Sequence, residues 1–277
     1  MRIIYFGTDV FLSCFEFFLA HHQIEELYTY HCDEDYMTEA GIVRRAEETN
    51  IPVTFESITE DRIRAFFQEE GCGLLFAAEY DRKIPVPDDI AGFRGVNVHS
   101  SILPDGRSYY PIEAAMDRKL AQTGVTMHRL TPMLDCGAIL DQRILPISDD
   151  MASVDIYLRL GALARDMTES VMEDFESAWQ KARPQPEKRP YWKRPSADRL
   201  TLTHGLTREE ARHVDRCFNS LTQVELDDKL YYILALDTGS ASLPRQEWAL
   251  RQDQWLYALK DGHARLFVHP KTGSDRR

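Results

Sequence analysis

What this 277-residue chain lacks narrows it first. No apolar stretch reaches the roughly 18 uncharged residues of a membrane-spanning helix, so no membrane partner is expected. The run from Phe11 to Leu19 imitates the apolar centre of a secretory leader behind Arg2, but Asp9 and Glu16 interrupt it and no small-residue cleavage site follows. The five cysteines (Cys14, Cys32, Cys72, Cys136, Cys217) stand far apart and form no CxxC pair. That argues against a disulfide framework or a zinc knuckle and makes a reducing cytoplasm the expected setting. His21, His22, His31 and Cys32 lack metal-ligand spacing, so no metal is expected. Neither a GxGxxG after the first strand nor a GxxxxGK[ST] occurs, so the glycines that cradle dinucleotide or nucleotide phosphates are missing. An excess of basic charge is missing too: 33 Lys and Arg stand against 45 Asp and Glu, for a formal net charge of -12. A protein built to grip a polyanion needs the opposite balance.

What is there is an ordinary globular composition, 43% hydrophobic and 28% charged, enough for one large domain and a smaller one. The period of the apolar residues alternates between strand and helix. Arg2–Phe6 reads as a buried strand, Gly7-Thr8-Asp9 as a turn with Asp9 as helix N-cap, and Val10–His21 as an amphipathic helix. Strand Glu26–Tyr30 precedes helix Thr38–Thr49, and strand Pro52–Phe55 precedes helix Glu60–Glu70; strands Gly73–Ala78 and Gly95–Val98 lead to a helix from Pro111. Strands Val125–Leu130 and Ala138–Pro146 and one long helix, Ser153–Lys181, complete the pattern. The expected fold class is α/β, with a doubly wound, mostly parallel, Rossmann-like sheet. A Pro-punctuated basic segment at 183–197 reads as a linker between a catalytic domain at 1–182 and a small, mostly β domain at 198–277, with Asp261-Gly262 as a hairpin turn.

In such sheets ligands settle at the carboxyl ends of the strands, so Gly7-Thr8-Asp9, Glu79-Tyr80 and Asn97–His99 are expected to share one cleft. The segment Asn97-Val98-His99-Ser100-Ser101-Ile102-Leu103-Pro104, followed by Asp135-Cys136-Gly137, carries the chemistry. Attack of an amine on a carbonyl develops an oxyanion and sheds a proton, which calls for a donor aimed at the oxygen and a relay for the proton. Asn97 suits the first task. His99, two residues on along a strand and so on the same side, can share the oxyanion or take the proton, and Asp135 can orient the imidazole. His128 is expected to be a structural hydrogen-bonder within its strand.

These residues resemble the folate-dependent formyltransferase family, which shares N-x-H-x-S-x-L-P and a downstream D-x-G. The matches here are Asn97, His99, Ser101, Leu103 and Pro104, then Asp135 and Gly137. Phe6-Gly7-Thr8, Tyr80 to Pro85, Arg107, Pro111-Ile112, Ala115 and Gly124 to His128 add to the likeness, which covers roughly residues 1 to 180. The resemblance implies an N-formyltransferase using 10-formyltetrahydrofolate as co-substrate and no metal, with Asn97, His99 and Asp135 as catalytic residues. It places the pterin against Asp81, Arg82, Lys83 and Ile84 and against Pro132, Met133 and Leu134. Asp9 stands where many relatives have proline, and Arg107-Ser108 replaces Arg-Gly, so the acceptor side differs. Gly7, Thr8, Asp9, Arg107, Tyr109 and Tyr110 are the expected acceptor contacts, the two tyrosines by stacking.

Within that family the acceptors include initiator methionyl-tRNA, nucleotide-linked amino sugars, a purine-pathway amine and hydroxylamine-type side chains. The tRNA enzymes add a strongly basic C-terminal domain, whereas residues 200–277 hold eleven basic and eleven acidic residues. A small amine, a nucleotide-linked amino sugar foremost, is therefore the expected acceptor and nucleic acid is not. Methionyl-tRNA, a hydroxyornithine-type amine, hydrolysis of formyl-folate and a decayed folate-binding site remain the alternatives, and a homodimer is left open.

Overall fold

Along Arg2–Gly7, the first strand (β1), alternate side chains enter different cores, and this fixes the layering of the molecule. Ile3 and Tyr5 join a large apolar cluster on one face, while Ile4 and Phe6 join a smaller one on the other. The same split recurs in the neighbouring strand Leu74–Ala78, where Leu74, Phe76 and Ala78 face the large cluster and Leu75 and Ala77 the small one. Both faces of the sheet are therefore covered. Structure is described for residues 1–32, 38–87, 89–107, 109–185, 191–239, 249–251 and 254–271 of the computed structural model, so Ser108 lies outside the described residues.

In chain order, β1 is followed by α1 (Leu12–His21), β2 (Gln23–Tyr28), α2 (Ala40–Glu48), β3 (Val53–Thr54), α3 (Glu60–Arg64), β4 (Leu74–Ala78) and β5 (Gly95–His99). Then come α4 (Pro111–Asp117), β6 (Gln122–Arg129), β7 (Ile139–Pro146), α5 (Ser153–Glu173) and α6 (Phe175–Gln180). The first sheet runs β3-β2-β1-β4-β5-β6-β7. Its first five strands are parallel, and β6 and β7 join antiparallel, which makes the sheet mixed at that edge. The reversal sets β5 and β6 in antiparallel register, with Asn97 opposite His128 and His99 opposite Thr126.

Three expectations are corrected. The long helix from Ser153 breaks at Asp174, whose backbone leaves the helical region at φ -145, ψ 69 and whose carboxylate caps α6 through the Ser177 amide at 3.2 Å. Asp9 does not cap its own helix. Its oxygens accept the Gly41 and Ile42 amides of α2 at 2.9 and 2.6 Å, because the turn after β1 points at the start of that helix. The hairpin turn near the C-terminus is Lys260-Asp261, one residue earlier than read, with Leu259 paired to Gly262.

Beyond α7 (Ala197–Leu200), strand β8 (Thr201–Leu202) and helix α8 (Arg208–Phe218) lead into β9 (Gln223–Leu226), β10 (Lys229–Asp237), β11 (Ala249–Arg251), β12 (Gln254–Leu259) and β13 (Gly262–Pro270). They form a second sheet in the order β11-β12-β13-β10-β9-β8. Ala211, Val214 and Phe218 of α8 belong to the same apolar cluster as Ile112 and Met116 of α4, so one continuous core joins the two sheets.

Candidate active site

Val96 and Val98 of β5 and Val125 and Met127 of β6 point into the large core, so the intervening Asn97, His99, Thr126 and His128 all face the other side. Residues 130–137 then cross the end of these strands and bring Asp135 over the same face. Asn97, His99, His128 and Asp135 line a single cleft of about 920 Å³. The Asn97 side-chain nitrogen lies 3.2 Å from His128 Nε2, and Asp135 Oδ1 lies 3.6 Å from His128 Nε2 and 4.0 Å from His99 Nδ1. The two histidines are 2% and 7% exposed, so water does little to screen this cluster.

Each imidazole is held from behind by a carbonyl, which can only accept. His99 Nε2 donates to the Gly106 oxygen at 2.8 Å, leaving Nδ1 toward Asp135; His128 Nδ1 donates to the Arg129 oxygen at 2.9 Å, leaving Nε2 to accept from the Asn97 amide. Burial by itself would raise the Asp135 carboxyl, but His99, His128 and Arg107 outweigh it and hold the group down at about 2.

The Asp135 loop is fixed by groups that never reach the cleft. Arg107, 2% exposed, donates from Nε to the Asp135 main-chain oxygen at 3.0 Å, and Gln185 Nε2 donates to that oxygen at 2.8 Å and to the Gly137 oxygen at 2.9 Å. Arg107 also pairs with the Gln185 side chain. Asp135 has φ 51°, and a Cβ on Gly137 would come within 1.8 Å of the Arg129 oxygen, so the D-x-G glycine is required by close approach of two backbones. Tyr191 and Trp192 also hold this wall: the Trp192 amide donates to the Arg107 oxygen at 2.9 Å and the Tyr191 hydroxyl to the Leu134 oxygen at 2.7 Å.

The other expected site residues divide clearly. Asp81, Arg82, Lys83, Ile84, Pro132, Met133, Leu134, Tyr109 and Tyr110 line the cleft together with Asn97, His99, His128 and Asp135. The Tyr109 hydroxyl donates to the Asp81 oxygen at 3.1 Å, and the Arg194 guanidinium lies 4.9 and 5.3 Å from the Tyr109 and Tyr110 ring centres. Gly7, Thr8 and Asp9 are not among the lining residues: Gly7 packs against the Ala78 carbonyl of β4, Thr8 is wholly buried, and Asp9 is committed to α2. Arg107 sits behind the cleft wall instead of in it. Glu79 and Tyr80 line the cleft as the strand-end reading expected, while His128 as an Asn97 partner and Gln185 are residues that the sequence reading passed over. The pairing of β5 with β6 would have exposed His128; nothing local marks Gln185. Among the described residues no group of three or more His, Cys, Asp or Glu side chains is arranged to hold a metal ion.

The formyl transferase family model matches residues 32–171, half of the chain. This chain belongs to that family. A methionyl-tRNA formyltransferase from Rhodopirellula baltica is 34% identical over 126 residues, 44% of this chain and 37% of that protein; one from Treponema denticola is 31% identical over 140 residues, covering 50% and 43%. The chain therefore spans less than half the length of these curated relatives. Among solved structures, HypX from Aquifex aeolicus in complex with tetrahydrofolic acid superposes with a TM-score of 0.68 at 16% identity, over 98% of this chain and 44% of HypX. The N-formyltransferase from Helicobacter canadensis, in complex with folinic acid and dTDP-3-aminofucose, gives a TM-score of 0.64 at 16% identity over 96% and 98% of the two chains. These likenesses establish the fold of both sheets of this formyl transferase family member.

Proposed function

We propose that this chain is an N-formyltransferase that moves a formyl group from 10-formyltetrahydrofolate to the amine of a nucleotide-linked amino sugar. The observation that carries the reading is the convergence of Asn97, His99 and Asp135 on one cleft whose wall continues into the lining of Asp81–Ile84 and Pro132–Leu134. That stretch fits a flat, hydrogen-bonding ring system: Met133 and Leu134 are each 47% exposed at its edge, where a bound ring would cover them. The folate supplies the formyl carbon; the chain's residues supply the rest.

One Asn97 N–H is taken by His128 Nε2, which aims the other at the oxygen on which charge develops. His99 Nδ1 keeps its lone pair because Nε2 is spent on Gly106, so it can accept the amine proton. Asp135, held at about 2, stays ionised and stabilises the imidazolium so formed.

The acceptor assignment rests on the rest of the cleft. Tyr109, Tyr110 and Arg194, with Tyr232 of the second sheet and Lys271 just beyond β13, give it aromatic rings and cations, the chemistry that receives a base and phosphates. The Helicobacter canadensis relative binds dTDP-3-aminofucose at matching overall fold. The second reading, methionyl-tRNA as acceptor, draws on the named curated relatives; the balanced charge of residues 200–277 speaks against it. A reducing cytoplasm is the proposed setting, in keeping with five unpaired cysteines.

The test is to supply 10-formyltetrahydrofolate with a dTDP-amino sugar, with methionyl-tRNA, or with no acceptor, and to follow tetrahydrofolate release. Release with the sugar supports the assignment. Formylation of tRNA alone, or formate without any acceptor, replaces it by the corresponding alternative.

A further inference from the structure

A second carboxylate enters the same pocket from the end of β4. Ala78 pairs with Val98 across the parallel β4–β5 ladder, so Glu79 and His99, the next residues of each strand, leave the sheet side by side, and both line the cleft. Glu79 holds φ 51°, a left-handed backbone that a side chain of this kind adopts only under constraint and that recurs at functional positions. The groups facing its carboxyl are His99 and Ser100 from β5 and the turn after it, and Asp135 from the catalytic loop.

Three carboxylates among the described residues line the cleft, in different surroundings. Asp135 is held at about 2 and cannot carry a proton at neutral pH. Asp81 is raised by burial but has the guanidinium groups of Arg82 and Arg194 beside it. Glu79, raised by burial and by Asp135 against the pull of His99, faces an imidazole, a hydroxyl and a carboxylate instead of a guanidinium. Among the described lining residues it is the carboxyl that leaves the sheet beside the imidazole.

The reaction needs such a group. An alkyl amine arrives at neutral pH as an ammonium with no lone pair, and two protons must leave its nitrogen before the formamide is formed. His99 can take one.

We propose that Glu79 seats the acceptor's ammonium beside His99 and removes its first proton, freeing the nitrogen to attack the formyl carbon; this rests on the formyl-transfer reading above. An N–H bond of the ammonium breaks and its proton passes to the Glu79 carboxylate. The nitrogen lone pair forms the C–N bond while the carbonyl electrons move onto the oxygen facing Asn97. The second N–H proton passes to His99 Nδ1, and as the bond from the formyl carbon to the donor nitrogen breaks, that nitrogen takes the proton from His99. The proton left on Glu79 returns to solvent, balancing the cycle.

The test compares two acceptors in the full-length protein, dTDP-3-aminofucose, an ammonium at neutral pH, and hydroxylamine, which is largely uncharged there. Glu79→Gln is expected to lower turnover of the amino sugar about a hundredfold, as loss of a general base does, and to make its rate climb steadily with pH as free amine accumulates. With hydroxylamine the fall should be about tenfold smaller, and Glu79→Asp should recover part of the amino-sugar rate. Affinity for folinic acid, read by calorimetry, should hold in both variants and shows that the cleft is intact. Equal losses with the two acceptors, or an unshifted pH profile, would overturn the role of Glu79 while leaving formyl transfer standing. Absence of tetrahydrofolate release by the unaltered protein with either amine would overturn the transfer reading itself, and this inference with it.

Discussion

The side-chain nitrogen of Asn97 stands 3.2 Å from His128 Nε2, across the antiparallel pair in which the two residues are direct partners. In the proposed mechanism one strand thus supplies the group that faces the developing oxyanion and its neighbour supplies the group that orients it. An amide free to rotate would present its oxygen half the time, which repels the charge it should stabilise.

His128→Ala is accordingly expected to reduce kcat by up to about a hundredfold, the scale of a misplaced catalytic group, with little change in folinic acid affinity. Steady-state kinetics alongside a binding titration checks this. A variant with normal kcat would show that Asn97 is oriented by something else. Asn97→Ala, His99→Ala and Asp135→Ala should each cost orders of magnitude, and joint losses need not add.

Asp135 has a pH signature. Its folded carboxyl is held at about 2, below the unfolded value near 4, so the stabilisation it contributes is fully present above about pH 4 and is lost as pH falls toward about 2. At neutral pH that contribution is on the order of 2 kcal/mol. Urea midpoints of the native protein and Asp135→Asn between pH 6 and pH 3 should converge on the acid side. A gap independent of pH would mean that the histidines are not its source.

Gly137→Ala tests the backbone approach beneath the Asp135 loop. A methyl 1.8 Å from the Arg129 oxygen forces the two segments apart, and overpacking of this kind costs roughly 1–3 kcal/mol or more. Turnover should fall with it, since residue 137 lies two positions from Asp135. Unchanged melting temperature and turnover would remove the glycine's steric role.

Asp9→Ala removes the two hydrogen bonds that this side chain accepts from the first turn of α2 and should destabilise by about 1 kcal/mol, as loss of a helix cap does, with Asp9→Asn retaining part of it. Denaturant melts of the two variants decide it.

Much of this was legible in the residues. The alternation of Ile3, Ile4, Tyr5 and Phe6 announces a strand buried on both faces, and the NxHxSxLP and DxG motifs announce the cluster before any coordinate is known. Other features were not. Asp9 reads as a cap of its own helix because capping is judged from adjacent residues, yet its partners are 32 and 33 positions away. The helix from Ser153 reads as continuous because its apolar period carries on through Asp174, where the backbone nonetheless breaks.

The residues alone were enough for the fold class, the family and the choice of Asn97, His99 and Asp135 as the proposed reacting trio, because these rest on local periodicity and on residue types that few other functions require in that order. Three facts came only with the three-dimensional arrangement: β6 returns antiparallel and so gives Asn97 its histidine, Arg107 and Gln185 brace Asp135 from behind, and Gly7 to Asp9 stay out of the cleft. Those facts depend on contacts between residues far apart in the chain, and no short window of sequence encodes which distant strand lies beside which.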